Sequence, residues 1–239
     1  MNILDRYGIK EVADVTFYEI ADNGEAGAPV LYLDTLKVST IEQTAENTSA
    51  RGGKGNPELI MWDYGKEITL TLEDALFSAK SMALMYGVDI KDTGDFGKET
   101  TILKTVKPSQ VSSDGSKITI NGQDFTVSGS VTYYDENGSS TTNKASAAYA
   151  TAKITVSGQK IVISSDKFPE TYYVTGDTYA RSEATGKDEF FQFIIPKAKM
   201  QSEVTLTMEA EGDPSTFNMS LKVLRPANGE MMKLVKYSI

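Results

Sequence analysis

Thr44-Ala-Glu-Asn-Thr-Ser-Ala-Arg-Gly-Gly-Lys-Gly-Asn56, then Glu58-Leu-Ile-Met-Trp-Asp-Tyr64, then Glu67-Ile-Thr-Leu-Thr-Leu72 is the stretch that decides the fold class. In its last part Ile68, Leu70 and Leu72 share one face, and Glu67, Thr69 and Thr71 share the other. That period of two belongs to a half-buried strand. Leu59 to Tyr64 reads as a second strand, with Trp62 as a core residue and Gly65 as the break between the two. The polar, glycine-rich tract 44–56 reads as a loop too long for a hairpin turn. The period then changes. Leu76, Ala79, Ala83 and Tyr86 fall at helical spacing, with Leu72 one turn earlier, and predict a helix over Asp74 to Tyr86. Thr71 and Asp74 give a capping-box spacing, and Gly87 supplies a left-handed stop.

Strand signals dominate on both sides of this stretch. Val12–Ile20 and Val30–Ile41 are rich in β-branched and aromatic residues around the turn set Asp22 to Pro29, which reads as a hairpin. Near the carboxy terminus Phe190–Ile195 ends at Pro196. Glu203–Glu209 and Thr216–Leu224 both alternate, predicting an antiparallel hairpin with one buried and one wet, hydroxyl-lined face. Met231–Ile239 reads as a final strand. Composition shifts near Asp92, and the chain becomes rich in Ser, Thr, Gly and Asn from about Thr100 to Ser165. Short strands are predicted there at Lys117–Ile120, Phe125–Val127, Val131–Tyr134, Ala152–Val156 and Lys160–Ile163. The tract Ser139 to Ala148 reads as a mobile surface loop. The expected fold is mainly β: a two-sheet antiparallel sandwich or barrel-like domain with one flanking helix, built from residues 1–99 and 169–239. A small β subdomain is inserted over 100–168, on the outer surface.

Composition narrows the function. The chain has 239 residues, with no cysteine and no histidine. Disulfides, thiolate metal sites, Ser-His-Asp and Cys-His nucleophiles and His-ligated zinc are therefore excluded. The formal net charge of −9 repels nucleic-acid phosphates, which suits a surface that DNA slides past rather than one that grips it. The amino terminus lacks a basic region followed by an apolar core, and no apolar run approaches a membrane span. The expectation is a soluble protein made and kept in the cytoplasm, unless a larger particle carries it out.

The motifs that suggest small-molecule chemistry fail on inspection. Arg51-Gly-Gly-Lys-Gly-Asn-Pro57 has no Ser or Thr after its lysine, and a strand rather than a helix follows. A dinucleotide fingerprint fails for want of a third glycine and a helix. Glu209, Glu211 and Asp213 flank a turn, and Glu73-Asp74 sits at a predicted helix start, without a calcium-loop pattern or a cleft signature. The mixed charges between Tyr179 and Glu189 read as a solvated hairpin loop. Their functional alternative is salt bridging to a neighbouring subunit through Arg181, Glu183, Lys187 and Asp188.

The layout resembles the tail tube (major tail) proteins of bacteriophages of Gram-positive bacteria. The resemblance is carried by Gly27-Ala-Pro-Val-Leu-Tyr-Leu33, the glycine-rich loop before Glu58 to Lys66, and Ile68 to Leu76 leading into the helix. It is completed by Phe191-Gln-Phe-Ile-Ile-Pro-Lys197 and the hairpin ending at Leu224. It covers roughly the first hundred and last seventy residues. It implies a structural virion protein without enzyme activity or cofactor, six copies forming a ring and rings stacking into a channel for DNA. The implied lumen-facing residues are Thr69, Thr71, Glu73, Thr205, Thr207, Glu209, Asn218 and Ser220, with Lys222 a departure from a negative wall. The implied inter-ring loop comprises Thr44, Glu46, Asn47, Arg51, Gly52, Gly53, Lys54, Gly55 and Asn56, mobile until it orders on assembly. The implied partners are further copies of the chain, a tape-measure protein and DNA held without sequence specificity. A contractile sheath is left open, and no membrane is involved. The alternative is a baseplate, fibre or surface-binding β module that recognises a host carbohydrate or protein.

Overall fold

A computed structural model describes residues 6–88, 99–157, 160–204 and 216–237. The chain forms two compact units, Met1–Asp89 with Ile163–Ile239, and Ile90–Val162. The first unit holds β1 (Tyr7–Ile9), β2 (Asp14–Ile20), β3 (Ala26–Leu33), β4 (Leu36–Arg51), β5 (Glu58–Asp74) and α1 (Ala79–Tyr86). The second holds β6 (Glu99–Val106), β7 (Lys117–Ile120), β8 (Gln123–Thr126), β9 (Thr132–Tyr134), β10 (Ser140–Thr141) and β11 (Tyr149–Ser157). The chain then returns to the first unit with β12 (Thr171–Ser182), β13 (Asp188–Met200), β14 (Phe217–Val223) and β15 (Lys233–Tyr237).

The first unit is one antiparallel sheet in the order β3-β2-β12-β13-β14-β5-β4, with β1 added to β12 and β15 to β13. β3 and β4 are consecutive in sequence yet form opposite ends of this path. The sheet therefore curls, and Asp34-Thr35 crosses from one edge to the other. The Ala13 N–H donates to Ser39 Oγ across the closure (3.3 Å). Phe17, Leu70, Leu72, Val174, Ile195, Met219 and Leu221 fill one core between the two halves of the curled sheet, and Leu84 and Met85 of α1 pack onto it. Alternation along each strand delivers these residues: every second residue of β14, from Phe217 to Val223, is buried, as its sequence predicts.

Tyr172 is buried in this core, 6% exposed, with its ring edge-on to Phe17. Burial, with Glu170 close by, pushes its phenol up to about 12. An unfolded chain ionises near the ordinary value of 10.0, so the unfolded state loses its proton first as pH rises. Stability from this group is complete below that pH and declines towards the folded value, by about 2 kcal/mol. Denaturant titrations from neutral pH upward should show this slope in the wild type and a flatter one in Tyr172→Phe; identical slopes would reject it.

Several elements differ from the sequence reading. The tract 44–56 is not a loop over its length. β4 runs through Arg51, paired with β5 from Leu36↔Asp74 to Arg51↔Glu58, and only the tip between Arg51 and Glu58 turns. Gly65 does not break the following strand. It takes φ +62 inside β5, where the register with β4 slips between Thr44 and Glu46, so it forms a bulge within one long strand. The helix starts at Ala79, capped by Ser78 in a reciprocal box with Ser81, and stops at Gly87 with φ +70. Asp74 is held in β5 instead, because its carboxylate accepts from Thr35 Oγ1 (2.6 Å) and the Leu76 N–H (3.2 Å). Trp62 is not in the core and is 52% exposed.

Nor does Pro196 end its strand. Tyr172 pairs with Ala198 and Val174 with Ile195, so Pro196 and Lys197 stand opposite Tyr173 alone, in a bulge that tolerates a residue without an N–H. β14 takes β13 and β5 as neighbours. Glu203 and Val204 are not in a strand, and the rest of that expected strand lies outside the described residues.

The second unit pairs a four-stranded sheet, β10-β9-β11-β6, with the β7–β8 hairpin. Ile118, Ala150 and Ile154 form its own core. Residues 160–163 are not a strand. The tract 139–148 carries β10 and a single 3-10 turn, with Lys144 Nζ donating to the Val111 carbonyl (2.6 Å).

Candidate assembly surfaces

Two surfaces of the first unit stand out, and both belong to β4 and β5. The first is the sheet face turned away from the core. Thr69, Thr71 and Glu73 of β5 stand directly across from Lys222, Ser220 and Asn218 of β14. On their other side they face Glu42, Thr40 and Val38 of β4. The intervening residues Ile68, Leu70, Leu72, Met219 and Leu221 are all buried. Five of the eight residues expected to line a channel are thus brought together on one face. Thr205, Thr207 and Glu209 lie outside the described residues. The face carries three carboxylates, Glu42, Glu67 and Glu73. Lys222, the apparent exception, bonds Glu67 at 2.6 Å, so its charge is neutralised within the face. Lys199, across from Lys222 on β13, donates its Nζ to the Pro169 carbonyl.

The second surface is the outer part of the β4–β5 hairpin. Among the described residues the two strands pair only with each other beyond the Gly65 bulge, and neither face of the ribbon is covered. Leu59, Ile60, Met61, Trp62 and Tyr64 are all more than half exposed. Tyr64, Trp62 and Ile60 oppose Glu46, Thr48 and Ala50, so three large apolar side chains share one face of the ribbon. The turn is built by Gly53 and Gly55 at positive φ and by Asn56 in the same region. At its neck Arg51 bonds Glu58 at 2.8 Å, and hydrogen bonds from Ser49 and Arg51 hold the Glu58 carboxyl below its ordinary range. Of the residues expected in a loop here, Thr44, Glu46, Asn47 and Arg51 are strand residues, and Gly52, Gly53, Lys54, Gly55 and Asn56 form the tip. The sequence reading singled out this tract but not the exposed apolar residues of the strand that follows it, because Trp62 and its neighbours look like a buried strand.

In the charged hairpin between β12 and β13, Arg181, Asp188 and Glu183 have ion-pair partners within the chain. Arg181 and Asp188 are cross-strand partners and form a bidentate pair, Nε to Oδ1 and the second nitrogen to Oδ2, both 2.7 Å. The pairing raises the guanidinium pKa and lowers that of the carboxylate. Glu183 reaches Arg6 at 3.7 Å. Lys187 sits in the turn, its N–H donating to Thr185 Oγ1. Beside the pair is a shallow cleft of about 370 Å³ lined by Gly8, Lys10, Glu11, Tyr179, Arg181 and Asp188. Tyr179 of β12, Phe190 of β13 and Tyr237 of β15 form a row of ring contacts.

Among the described residues no three acidic side chains gather to hold a metal, and no helix is long and apolar enough to cross a membrane. What these surfaces offer is a polar wall and an apolar arm. The model of the YomU/Tube protein family matches residues 7–236, running through the second unit as well as the first. A tail tube protein of Bacillus phage SPR is 25% identical over 225 residues, covering 84% of this chain and 78% of its own.

Proposed function

The chain belongs to the YomU/Tube family of phage tail tube proteins, and from that premise we propose that it is the repeating subunit of a tube built from stacked hexameric rings. The observation that carries this reading is the division of labour within one hairpin. The inner halves of β4 and β5 expose a hydroxyl- and carboxylate-rich face, and the outer halves expose apolar side chains that no described residue covers. Thr69, Thr71, Glu73, Asn218 and Ser220 line the channel, and Thr205, Thr207 and Glu209 are assigned to the same wall. Alternation puts their polar groups towards water, as in barrel interiors. An acidic wall repels phosphates, so DNA passes without being retained.

The arm docks on the adjacent ring through Ile60, Trp62 and Tyr64, with Arg51, Lys54 and the tip glycines completing the contact. The charged β12–β13 hairpin contributes to contacts between subunits within a ring. The role is structural and non-enzymatic, in the virion, with a tape-measure protein occupying the lumen before DNA.

Negative-stain electron microscopy of the concentrated protein is expected to show rings or tubes with a central channel. Persistent monomers would count against the whole reading. Phage carrying Thr69→Lys, Thr71→Lys and Ser220→Lys should still build tails but eject DNA slowly; wild-type ejection kinetics would show that this face is not the wall.

A further inference from the structure

The arm needs an acceptor, and the same strand points to one. β5 carries the exposed Ile60, Trp62 and Tyr64 at its start and leads, just past its other end, into Leu76 (64% exposed) and Phe77 (59% exposed). Phe77 rests its ring on Phe217 at 4.6 Å and still presents most of its surface to solvent. Phe168, 64% exposed, stands at the far end of α1, where Gly87 meets its backbone. Two large apolar side chains in a row on a connection between elements, with a third across one short helix, are more than scattered exposure.

We propose that Leu76 and Phe77 form the acceptor on which the arm of a second copy of this chain lies, apolar face down. The inference rests on the arm reading above and adds the surface that receives it.

Three observations select the occupant. The chain's own arm cannot reach the site: at roughly 3.3 Å per residue, about 30 Å of paired β5 separates Tyr64 from Asp74. The two patches differ from one another and lie at opposite ends of the sheet, so their contact is heterologous. A heterologous contact that does not close makes an open stack with every copy facing the same way, as a polar tube requires. The charges also match in kind. The exposed Asp34 precedes Thr35, whose carbonyl accepts from the Ala75 N–H beside the patch, and the arm tip carries Lys54.

The chain has no cysteine, so introduced thiols are the only ones present. Thr48→Cys sits across the strand from Trp62 and Ala75→Cys sits beside Leu76, leaving the anchors themselves intact. The assembled protein is treated with a flexible bismaleimide and run on a denaturing gel. The double variant is expected to give a ladder of covalent multimers, and each single variant only monomer. Tubes of the double variant without a ladder would overturn the acceptor while leaving the arm reading intact. Self-linking of Thr48→Cys alone would show that arms meet arms, and would overturn it too. Failure of the wild type to assemble would overturn both.

Discussion

Changing Ile60, Trp62 and Tyr64 together to threonine is expected to leave a folded protein that no longer assembles at ordinary concentrations. Threonine keeps the β-branched character that a strand favours, so the hairpin persists and only its apolar face is removed. These residues are half exposed and outside the core, and exposed substitutions change stability little. Thermal unfolding followed by circular dichroism should therefore match the wild type. Assembly is another matter. Aromatic anchors that become desolvated at an interface dominate its energy, at about 2 kcal/mol or more each. Loss of two aromatics and one isoleucine removes on the order of 4 kcal/mol per arm, about a thousandfold in the concentration needed to assemble. Light scattering against concentration, with electron microscopy of the pellets, measures this. Tubes forming at the wild-type concentration would show that the arm is not an anchor.

The same hairpin explains what the sequence could and could not reveal. Glu67 to Leu72 and Phe217 to Val223 were legible because each has one buried face, and burial writes a period of two into the residue types. The stretch 44–51 has no buried face. Its strand character comes from backbone pairing with β5, and hydrogen bonds between main chains leave no periodic trace in side-chain chemistry. Trp62 errs in the opposite direction. A run of apolar residues bounded by turn signals predicts a buried strand, and here the burial is supplied, on the proposed reading, by another copy.

Asp74 and Pro196 misled for a local reason: each is a strong boundary signal when isolated, and each is overridden by its neighbours. Asp74 is locked by Thr35 on the adjacent edge, and Pro196 falls at a bulge where no ladder bond is required. β12 is the most telling omission, a strand lying at the centre of the sheet between β2 and β13. Its Gly176 is a poor strand former, yet it pairs with Phe193 in mid-strand. Packing of the opposing aromatic residue, which no local pattern contains, decides that position.

Gly87→Ala is expected to be the most damaging small substitution in the first unit, and the comparison with Gly65→Ala separates its two causes. Both glycines have positive φ, +70 and +62, so alanine at either pays the left-handed penalty, about 1 kcal/mol. At Gly65 the new methyl meets only the flexible Glu46 side chain, at 3.7 Å. At Gly87 it would lie 2.1 Å from the Phe168 carbonyl carbon and 2.4 Å from the Pro169 nitrogen. Those are backbone atoms, and Pro169 is tied to β13 because Lys199 Nζ donates to its carbonyl. The helix end and the 168–169 segment must separate, which disturbs the packing of Leu84 and Met85 on the core. Overpacking of this kind costs about 1–3 kcal/mol beyond the backbone penalty. The total of about 3 kcal/mol corresponds to a melting point lower by roughly 10 °C for a unit of this size. Gly65→Ala should shift it by only about 3 °C. Equal shifts in the two variants would mean that the contact between the helix end and Phe168 yields easily, and that α1 is not clamped there.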